Sequence, residues 1–501
     1  MRRLAKLHLL CSRRLQETLW VREAEICDML DATAAVANNW DPSGVQMRGY
    51  LNRATLNNIL RLTVGKSYTY STVHRAAAAA PGEMLEAALK TDWQGRIATI
   101  NGAKSGELAA IAEDEMEGEK VIAMVDETFQ VMGTFNLADF IPWLSPLDPQ
   151  RIYARAKRLN PRFEGYVLAC IVDRKQMLET RRGRAGERGV EEGDKRERAV
   201  GPERRHKNDG EGGKGEGGEV KVGKVESVAE RVLVDALLEI ESQGEEEVTG
   251  KDRVTKEDIM LLCLDLINAG TDTTAKTVEW ALAELASHPA ILERLQAEVD
   301  AAYAKSAVGS ATEASAAEEA AGECNGKQRI AKLSLPVQEL PYLQAVIKET
   351  LRHHPPVPLL IPHMTTSSVS IGGYTIPPDT IIQINAWGLA HDPTVWVNPH
   401  IFYPNRFLGP WAPDVTGQNY GVLPFGSGRR VCAGMNLGLD LSARMLASIV
   451  LRFDLKLPED VLAAGRFDFG EHFSLTWALA KPLRLVLRDR KGTQVKQAHF
   501  Q

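Results

Sequence analysis

The sequence lacks the features that assign many chains to a class at first sight. Its six cysteines are scattered over 501 residues, and no Cys-x-x-Cys pair occurs. Neither a zinc knuckle nor a disulfide framework is therefore predicted, and a reducing environment is expected. No run of about 18 apolar residues is present, so no helix is predicted to span a bilayer. The first residues also lack the continuous apolar core and the cleavage site of a signal peptide.

An excess of charge of one sign is missing as well. The net charge is −6, the isoelectric point is near 6.1, and basic residues are interleaved with acidic ones wherever they cluster. Nucleic acid is therefore not expected as a partner. The length alone would favour several domains. The motifs described below all serve one site, however, so we predict a single domain over residues 1–501.

Two segments have little to bury and are predicted to be insertions. Residues 181–225 consist largely of Gly, Glu, Lys and Arg, and residues 301–326 are rich in Ala, Ser, Gly and Glu. Such compositions cannot offset the entropy that is lost on ordering. We therefore expect a disordered charged insertion in the first segment and a low-complexity loop in the second.

Hydrophobic spacing predicts helices over most of the remaining chain. At the N-terminus, an amphipathic helix is expected with Leu4, Leu7, Leu10 and Cys11 on one face. Other elements are predicted near the C-terminus: helices at about 337–353 and 432–451, a hairpin at 368–384, and short final strands. The predicted fold is mainly α with a smaller β-rich part.

A long helix is predicted to begin after Thr255, which forms a pattern like a capping box with Asp258. Apolar residues recur at helical spacing until Ser287, and His288 and Pro289 then end the pattern. At 1.5 Å per residue this helix would be about 45 Å long. It would cross a whole domain and could carry a site at its middle.

A glycine-rich loop with one cysteine precedes the last long helix. It reads Phe425-Gly-Ser-Gly-Arg-Arg-Val-Cys-Ala-Gly434. It lacks the Lys and Ser/Thr of a phosphate loop and the Gly-x-Ser-x-Gly of a hydrolase elbow. A helix start favours a thiolate, glycines allow a flat cofactor to approach, and arginines pair with carboxylates. The alternative for a lone cysteine is an inert core residue.

This loop resembles the haem-binding loop of the cytochromes P450. Phe425, Gly428, Arg430, Cys432 and Gly434 occupy the defining positions of that motif. The resemblance implies that Cys432 ligates haem iron as a thiolate, which favours cleavage of the O–O bond. It also implies that Arg430 pairs with a haem propionate, that Phe425 packs beside the sulfur, and that Gly428 lies in the part of the loop that borders the haem.

The middle of the long helix reads Ala-Gly-Thr-Asp-Thr-Thr at residues 269–274. A mid-helix glycine costs about 1 kcal/mol relative to alanine, so Gly270 needs a reason. In cytochromes P450 this turn is opened over the haem to make room for dioxygen. Asp272 and Thr273 match the acid and the alcohol that relay protons there. The alternative is structural, with the Thr273 hydroxyl bonded back to the preceding turn.

A charged triad is expected to be structural rather than chemical. Glu349 and Arg352 share a helix face and reproduce the Glu-x-x-Arg motif of the family. Arg406 matches the arginine that joins this pair, although Asn405 stands where the family usually has an acid. The resemblance implies that these charges hold the fold behind the haem loop.

Finer resemblance points to the plant A-type group of P450 enzymes. The similar segments are 135–148, 349–363, 371–376, 386–396 and 423–434. His363 matches a position that commonly contacts a haem propionate, and the alternative is a solvent-exposed histidine. The family's recognition segments imply an apolar pocket lined by Leu266, Ala269, Val357, Ile361, Phe473 and Leu475.

The resemblance implies a monooxygenase that inserts one oxygen atom from O2 into an apolar, aromatic small molecule of the phenylpropanoid or flavonoid type. Its cofactors would be haem b and NADPH, with electrons delivered by an NADPH–cytochrome P450 reductase. The full-length form would lie on the cytosolic face of the endoplasmic reticulum membrane. Two alternatives remain: a haem-thiolate isomerase or dehydratase, and a non-catalytic haem-binding fragment.

The start of the chain departs from the family pattern. Members begin with a membrane anchor, a proline-rich hinge and a first β region, none of which is recognisable here. We therefore expect an N-terminally truncated chain that lacks part of the cover over the substrate. The family also has a Trp-x-x-x-Arg motif that supplies another propionate ligand. Met1-Arg2-Arg3 resembles its end, with Arg2 in the ligand position.

Overall fold

Helices make up most of the described chain in the computed structural model. The described residues are 1–37, 42–70, 105–199, 231–247, 254–314 and 335–490. The α-helices are α1 Arg2–His8, α2 Ser12–Glu17, α3 Leu19–Ala37, α4 Met47–Thr63, α5 Ser105–Gly133, α6 Leu137–Phe140, α7 Ile152–Ala199, α8 Leu233–Glu247, α9 Lys256–Ser287, α10 Pro289–Ala314, α11 Pro341–His353, α12 Ala386–Ala390, α13 Met435–Arg452 and α14 Glu459–Ala463. Short 3-10 helices cover Pro142–Leu147, Val337–Glu339, Pro404–Phe407 and Gly428–Arg430.

The strands are short and form small antiparallel sheets. They are β1 Val45–Gln46, β2 His363–Met364, β3 Val369–Ile371, β4 Tyr374–Ile376, β5 Ile381–Ile382, β6 Phe453–Lys456, β7 Glu471–His472, β8 Ala478–Leu479 and β9 Arg484–Asp489. The largest sheet has the order β1-β9-β6, with Val45 opposite Leu485 and Leu455 opposite Leu487. The prediction of a mainly α fold with a smaller β-rich part is confirmed.

The predicted hairpin is confirmed, and its turn follows from two glycines. Strands β3 and β4 pair with Ile371 opposite Tyr374, so Gly372 and Gly373 form a two-residue loop. Both glycines have positive φ, +56° and +84°, which is the backbone that a type I′ turn requires. On either side of this hairpin, β2 and β5 pair with each other.

Helix α9 begins and ends as predicted. The Thr255 hydroxyl accepts the backbone N–H of Asp258 at 3.1 Å, and the Asp258 carboxylate accepts the backbone N–H of Thr255 at 3.0 Å. This reciprocal capping box satisfies donors that the first turn would leave without partners. The helix stops at Ser287 before Pro289, whose predecessor is disfavoured in the α conformation.

The buried apolar side chains form two large clusters, and α9 belongs to both. Its residues from Ile259 to Ile267 pack with α1, α4, α5 and α7. Its residues from Ala275 to Leu285 pack with α3, α10, α11 and α13. Helix α4 is divided in the same way between Ala54 and Leu56. The turn at 268–274 therefore lies where the two clusters meet.

Helices α4 and α9 approach most closely at Gly270. A Cβ at this position would lie 3.1 Å from Cγ1 and 3.3 Å from Cδ1 of Ile59. Those separations are shorter than the ordinary van der Waals contact of about 3.5–4.0 Å between carbon atoms. The cost of a glycine inside a helix is therefore explained here by helix packing.

Two helices run into the segments that are predicted to be insertions. Helix α7 continues to Ala199 and α10 continues to Ala314, and the insertions themselves stay predictions. Arg, Lys, Glu and Ala have high helix propensity, which allows a helix to continue without a core to bury. The remaining parts of the two insertions lie outside the described residues.

Two further predictions are corrected. The segment at Val337 forms a 3-10 turn, and the α-helix begins only at Pro341, a residue that favours the first helical position. The N-terminal helix ends at His8, and its buried side chain is Ala5. Leu9 and Leu10, after its end, are also buried, whereas Leu7 on the predicted face is 60% exposed.

Among the helices that the structure describes, none is long and apolar enough to cross a bilayer.

Substituting Gly270→Val should destabilise the chain by about 1–3 kcal/mol, because the added methyl groups overlap Ile59 in a filled interface. The measurement is urea unfolding followed by circular dichroism. Gly165→Val is the matched control, since a Cβ at this exposed position of α7 meets nothing within 4 Å. If the two variants were equally stable, close packing at Gly270 would not be the reason for the glycine.

Candidate active site

The cysteine-bearing loop is held in shape by its own backbone. The Cys432 N–H donates to the Phe425 carbonyl at 2.9 Å, which closes the loop at its base. Gly426 and Gly428 have φ of +69° and +67°, in the left-handed region that other residues rarely adopt. A Cβ at Gly428 would meet no heavy atom within 4 Å. The backbone at Gly428 is therefore open on one side, where a flat group could approach it.

Cys432 is the exposed one among the five cysteines that the structure describes. Its sulfur is open on one side but surrounded by protein on the others, and this burial raises the pKa of the thiol. The backbone N–H groups of Gly434 and Met435 and the charges of Arg2 and Lys6 act in the opposite direction and favour the thiolate. The loop thus supplies donors to a sulfur anion without ionising the free thiol by itself.

Arg2 reaches this loop from helix α1. Its guanidinium donates to the carbonyl of Val431, the residue before Cys432. The structure therefore brings Arg2 to the loop, as the sequence prediction requires, but its partner there is a backbone carbonyl. Its role as a propionate ligand stays a prediction. Arg429 and Arg430 are both exposed at the outer end of the same loop.

Phe425 connects the loop to the helices behind it. Its ring lies about 4.0 Å from the position of a Cβ at Gly438 in α13, and the Thr274 hydroxyl lies 3.9 Å from the same point. Phe425 also packs against a small buried cluster made of Ala345, Trp396, Phe407, Val415 and Val422. Helices α9 and α13 and the loop therefore meet at Gly438.

Thr273 makes the structural hydrogen bond to the preceding turn that the sequence analysis gave as the alternative. Its hydroxyl donates to the Ala269 carbonyl at 2.7 Å. Helix α9 is continuous through this turn, so the opening expected from the resemblance is absent. Ala269 is exposed and Thr273 is half-buried, and both lie on one face because they are four residues apart. The hydroxyl is therefore accessible from the open side of α9.

Asp272 lies on a different, buried face of α9 and does not pair with Thr273. Its Oδ2 accepts hydrogen bonds from Lys276 Nζ and from the Thr476 hydroxyl, each at 2.6 Å. Lys276 also donates to Thr476 at 2.7 Å. The other carboxylate oxygen, Oδ1, is buried without a hydrogen-bond partner among the described residues. A buried polar atom without a hydrogen-bond partner lowers the stability of the fold, so its presence calls for an explanation such as a function.

A second carboxyl group lies near Asp272. Burial and the negative charge of Asp272 raise the pKa of Asp126, on α5, to about 6, against the attraction of Lys276 and Arg48. This pKa is close enough to neutrality for Asp126 to exchange protons under ordinary conditions. The sequence prediction missed Asp126, Lys276 and Thr476. Of these, Lys276 had a local signal, because it lies one helical turn after Asp272.

The predicted charged triad is confirmed. Arg352 donates to Glu349 at 2.7 and 2.9 Å, and both side chains have 0% exposure. Arg406 joins Glu349 Oε1 at 3.3 Å, and Arg352 also donates to the carbonyls of Ala390 and Pro399. Breaking a buried pair of this kind typically costs about 3–5 kcal/mol, because the remaining charge is left uncompensated. The triad ties α11 to the segment between α12 and the loop.

His363 and the predicted pocket residues lie on segments near the loop or α9. His363 is exposed in β2, opposite Ile382. Leu360 comes within 4.0 Å of the Cβ position of Gly426. Ala269, Ile361 and Phe473 are exposed, and Leu266, Val357 and Leu475 are half-buried.

The segment from Phe473 to Trp477 is joined to three other parts of the chain. The Leu475 N–H donates to Phe129 of α5 at 3.2 Å, and the Trp477 N–H donates to Pro356 at 2.9 Å. Thr476 bonds to Asp272 of α9, as described above. Three of the predicted recognition segments are therefore brought together at this point.

Comparison with known proteins now decides the family. A sequence model described as cytochrome P450 matches residues 1–464. The chain belongs to the cytochrome P450 family. Proteins of this family are monooxygenases that use haem b and take electrons from NAD(P)H through a redox partner.

Plant enzymes and animal structures are both similar to this P450 chain. A flavonoid 3'-monooxygenase of Oryza sativa subsp. japonica is 31% identical, over 96% of this chain and 72% of its own length. Cytochrome P450 98A1 of Sorghum bicolor is 30% identical, over 98% and 73%. A zebrafish cytochrome P450 solved with progesterone has a TM-score of 0.57 at 22% identity, over 98% of this chain and 81% of its own. The predicted fold, the enzyme class and the plant-type resemblance are confirmed.

The residues at the P450 loop fit a haem. Cys432 offers an exposed thiol with backbone N–H donors aimed at its sulfur, the Gly428 backbone is open for a flat ring, and Arg430 is exposed beside it. Haem binding needs a thiolate ligand for the iron, open backbone for contact with the ring, and cationic side chains for the propionates.

Asp126→Asn should stabilise the chain at pH 7.5 and have little effect at pH 4. Its pKa of about 6 in the folded state exceeds the ordinary value of 3.8, so the folded chain keeps a proton that the unfolded chain releases. Stability is therefore lost as pH rises from about 4 to 6, and the amide removes that loss. Urea unfolding at the two pH values measures it.

The control variant, Asp258→Asn, should change the stability of the chain in the opposite direction. Hydrogen bonds from Thr255 lower the pKa of Asp258, so its contribution is present at neutral pH and is lost in acid. Asp258→Asn should therefore destabilise the chain at pH 7.5. An effect of Asp126→Asn that did not change between pH 4 and 7.5 would contradict the raised pKa.

Proposed function

We propose that this chain is a haem-thiolate monooxygenase that hydroxylates an apolar, aromatic small molecule of the phenylpropanoid or flavonoid type. The observation that carries the proposal is the exposed Cys432 thiol in a complete P450 loop. The Thr273 hydroxyl lies on the side of α9 where Ala269 is exposed. When bound to a cysteine thiolate, haem supplies the activation of O2 and the transfer of one oxygen atom. The protein residues supply binding, orientation and protons.

Three side chains are proposed to hold the haem propionates near Cys432. Arg430 and Arg2 would pair with the propionates, and His363 in β2 would be a further propionate contact. One N–H of the Arg2 guanidinium donates to the Val431 carbonyl. A guanidinium has five N–H donors, so others can form charge-assisted bonds to a carboxylate.

Thr273 and Asp272 are proposed to handle protons on the other side of the site. To donate, the Thr273 hydroxyl must rotate away from the Ala269 carbonyl. Asp272 Oδ1 is the free acceptor of the pair, because Oδ2 is already bonded to Lys276 and Thr476. Water could connect the buried Asp272 with the half-buried Thr273, and Asp126 is a nearby group that can resupply a proton.

The substrate class rests on the relatives and on the side chains near the loop. The rice relative is named as a flavonoid 3'-monooxygenase. Ile361 and Phe473 are 54% and 56% exposed, and with Ala269 they offer an apolar surface to a flat aromatic molecule. Electrons would come from NADPH through a P450 reductase, and the enzyme would work on the cytosolic face of the endoplasmic reticulum membrane.

The ligand assignment is tested by the spectrum of the reduced carbon monoxide complex. The wild-type chain should bind haem and give a Soret band to the red of a histidine-ligated complex, because thiolate donation changes the electronic structure of the iron. Cys432→Ser should lose the red-shifted band. Cys263→Ser is the control, because this buried thiol lies in α9 away from the loop. A red-shifted band that survived Cys432→Ser would overturn the assignment.

The proton role is tested by turnover with a plant P450 reductase, NADPH and a panel of flavonoids and coumaroyl esters. Thr273→Ala should still oxidise NADPH but form about 10-fold less hydroxylated product per NADPH, as expected for loss of a proton-transfer group. Thr273→Ser should restore the ratio. Thr271→Ala is the matched control, because Thr271 makes the same bond to the residue four positions earlier on a buried face.

The alternatives give different outcomes in the same assay. A haem-thiolate isomerase or dehydratase would convert a peroxide substrate without NADPH. A non-catalytic chain would bind haem but neither oxidise NADPH nor form product. Either result would exclude the monooxygenase proposal.

A further inference from the structure

A second group of metal-binding side chains lies away from Cys432, where α9 and α11 end. Glu284 is in the last turn of α9, and His353 and His354 follow each other at the end of α11. One ligand atom from each of the three residues lies within 4.8 Å of the other two. None of these residues has a role in the P450 site described above.

Glu284 is a carboxylate that is ready to bind a cation. Its Oε1 lies 2.7 Å from His354 Nε2, and its Oε2 lies 3.3 Å from His288 Nδ1. The Glu284 side chain is buried, so both of its carboxylate oxygens are held against imidazole nitrogens and away from solvent.

The hydrogen bonds around His353 leave one of its ring nitrogens free. His391 Nδ1 lies 2.9 Å from the Trp387 carbonyl, so it is assigned the proton. His391 Nε2 is then an acceptor, and it lies 3.4 Å from His353 Nδ1. This places the His353 proton on Nδ1 and the lone pair on Nε2. Burial and the neighbouring His354 lower the pKa of His353 to about 2, which keeps the imidazole neutral.

His354 is fixed in orientation and has an unused nitrogen. Its ring is stacked between Trp280, at 3.9 Å, and His353, at 4.6 Å between ring centroids. The residue is 8% exposed, and its Nδ1 has no hydrogen-bond partner among the described residues. A buried imidazole nitrogen without a partner is rare in proteins and needs an explanation such as an ion.

We propose that Glu284, His353 and His354 form a binding site for a divalent transition-metal cation, of which Zn²⁺ is the best fit. Two imidazoles and one carboxylate form a known Zn²⁺ ligand set, whereas Mg²⁺ and Ca²⁺ prefer oxygen ligands alone. The bond from His353 to His391 would orient the ring from behind, as second-sphere partners do in metal sites. Because His353 and His288 are half-buried, the ion can enter from the surface.

The site would be structural. Zn²⁺ would take the place of the proton between Glu284 and His354 Nε2. That proton would move to Nδ1 of the same ring, so the imidazole stays neutral and coordinates through Nε2. The bound ion would join the end of α9 directly to the end of α11, next to the buried Glu349–Arg352 pair. It would therefore stabilise the fold behind the loop without taking part in oxygen chemistry.

The test uses the full-length haem-loaded chain, treated with a chelator and desalted. Zn²⁺ is titrated in competition with a chromophoric chelator. The wild type should bind one Zn²⁺ more than His353→Leu does, or bind it at least 10-fold more tightly. His353→Leu suits the test because it keeps the bond between Glu284 and His354. The matched control is His472→Ala, an exposed histidine of β7 that should behave as the wild type does.

Two further measurements separate this site from others. Zn²⁺ should raise the Tm of the wild type and not that of His353→Leu, while unchanged carbon monoxide spectra show that both chains are folded. X-ray absorption at the zinc edge should show nitrogen and oxygen neighbours with imidazole scattering. Equal binding by the wild type and His353→Leu, no binding by either, or a sulfur shell that indicates cysteine ligands would each overturn the proposal.

Discussion

The close approach of α4 and α9 at Gly270 is the constraint on which the rest of the site depends. Both helices pass through both large apolar clusters, so their separation sets the distance between the two halves of the described core. A side chain at position 270 would press on Ile59, so the glycine favours this close approach of α9 to α4. Residues 272–274 follow directly, and their orientation about the helix axis is therefore set by packing and not by the haem loop.

This orientation assigns different tasks to successive residues. A helix turns about 100° per residue, so Asp272 and Thr273 cannot share a face. Asp272 is directed into a buried network with Lys276 and Thr476, whereas Thr273 lies on the side where Ala269 is exposed. Two adjacent positions thus place a carboxylate in a buried network and a hydroxyl on the open side of the same helix. The Asp272 and Thr273 side chains therefore make no direct hydrogen bond, although the two residues are adjacent on one helix.

The parts of the structure that could be predicted from the sequence are those with local causes. The Thr255–Asp258 capping box, the Gly372-Gly373 turn and the Glu349–Arg352 pair each depend on residues a few positions apart, and all three are confirmed. Thr476 lies 204 residues from Asp272, and no local pattern joins them. Asp126 is equally remote. Helices α7 and α10 extend further than predicted because residues of high helix propensity can continue a helix even where no side chains are buried.

The pKa of the Cys432 thiol is set by opposing effects within the loop. Burial raises the pKa of the thiol, and the N–H groups of Gly434 and Met435 with the charges of Arg2 and Lys6 oppose that effect without overcoming it. A coordinated thiol is deprotonated when it binds a metal ion. In the proposed haem site, ionisation of Cys432 would be coupled to haem binding, and the loop donors would stabilise the thiolate once it has formed. A loop that ionised the thiol alone would hold an exposed, reactive anion before any haem arrived.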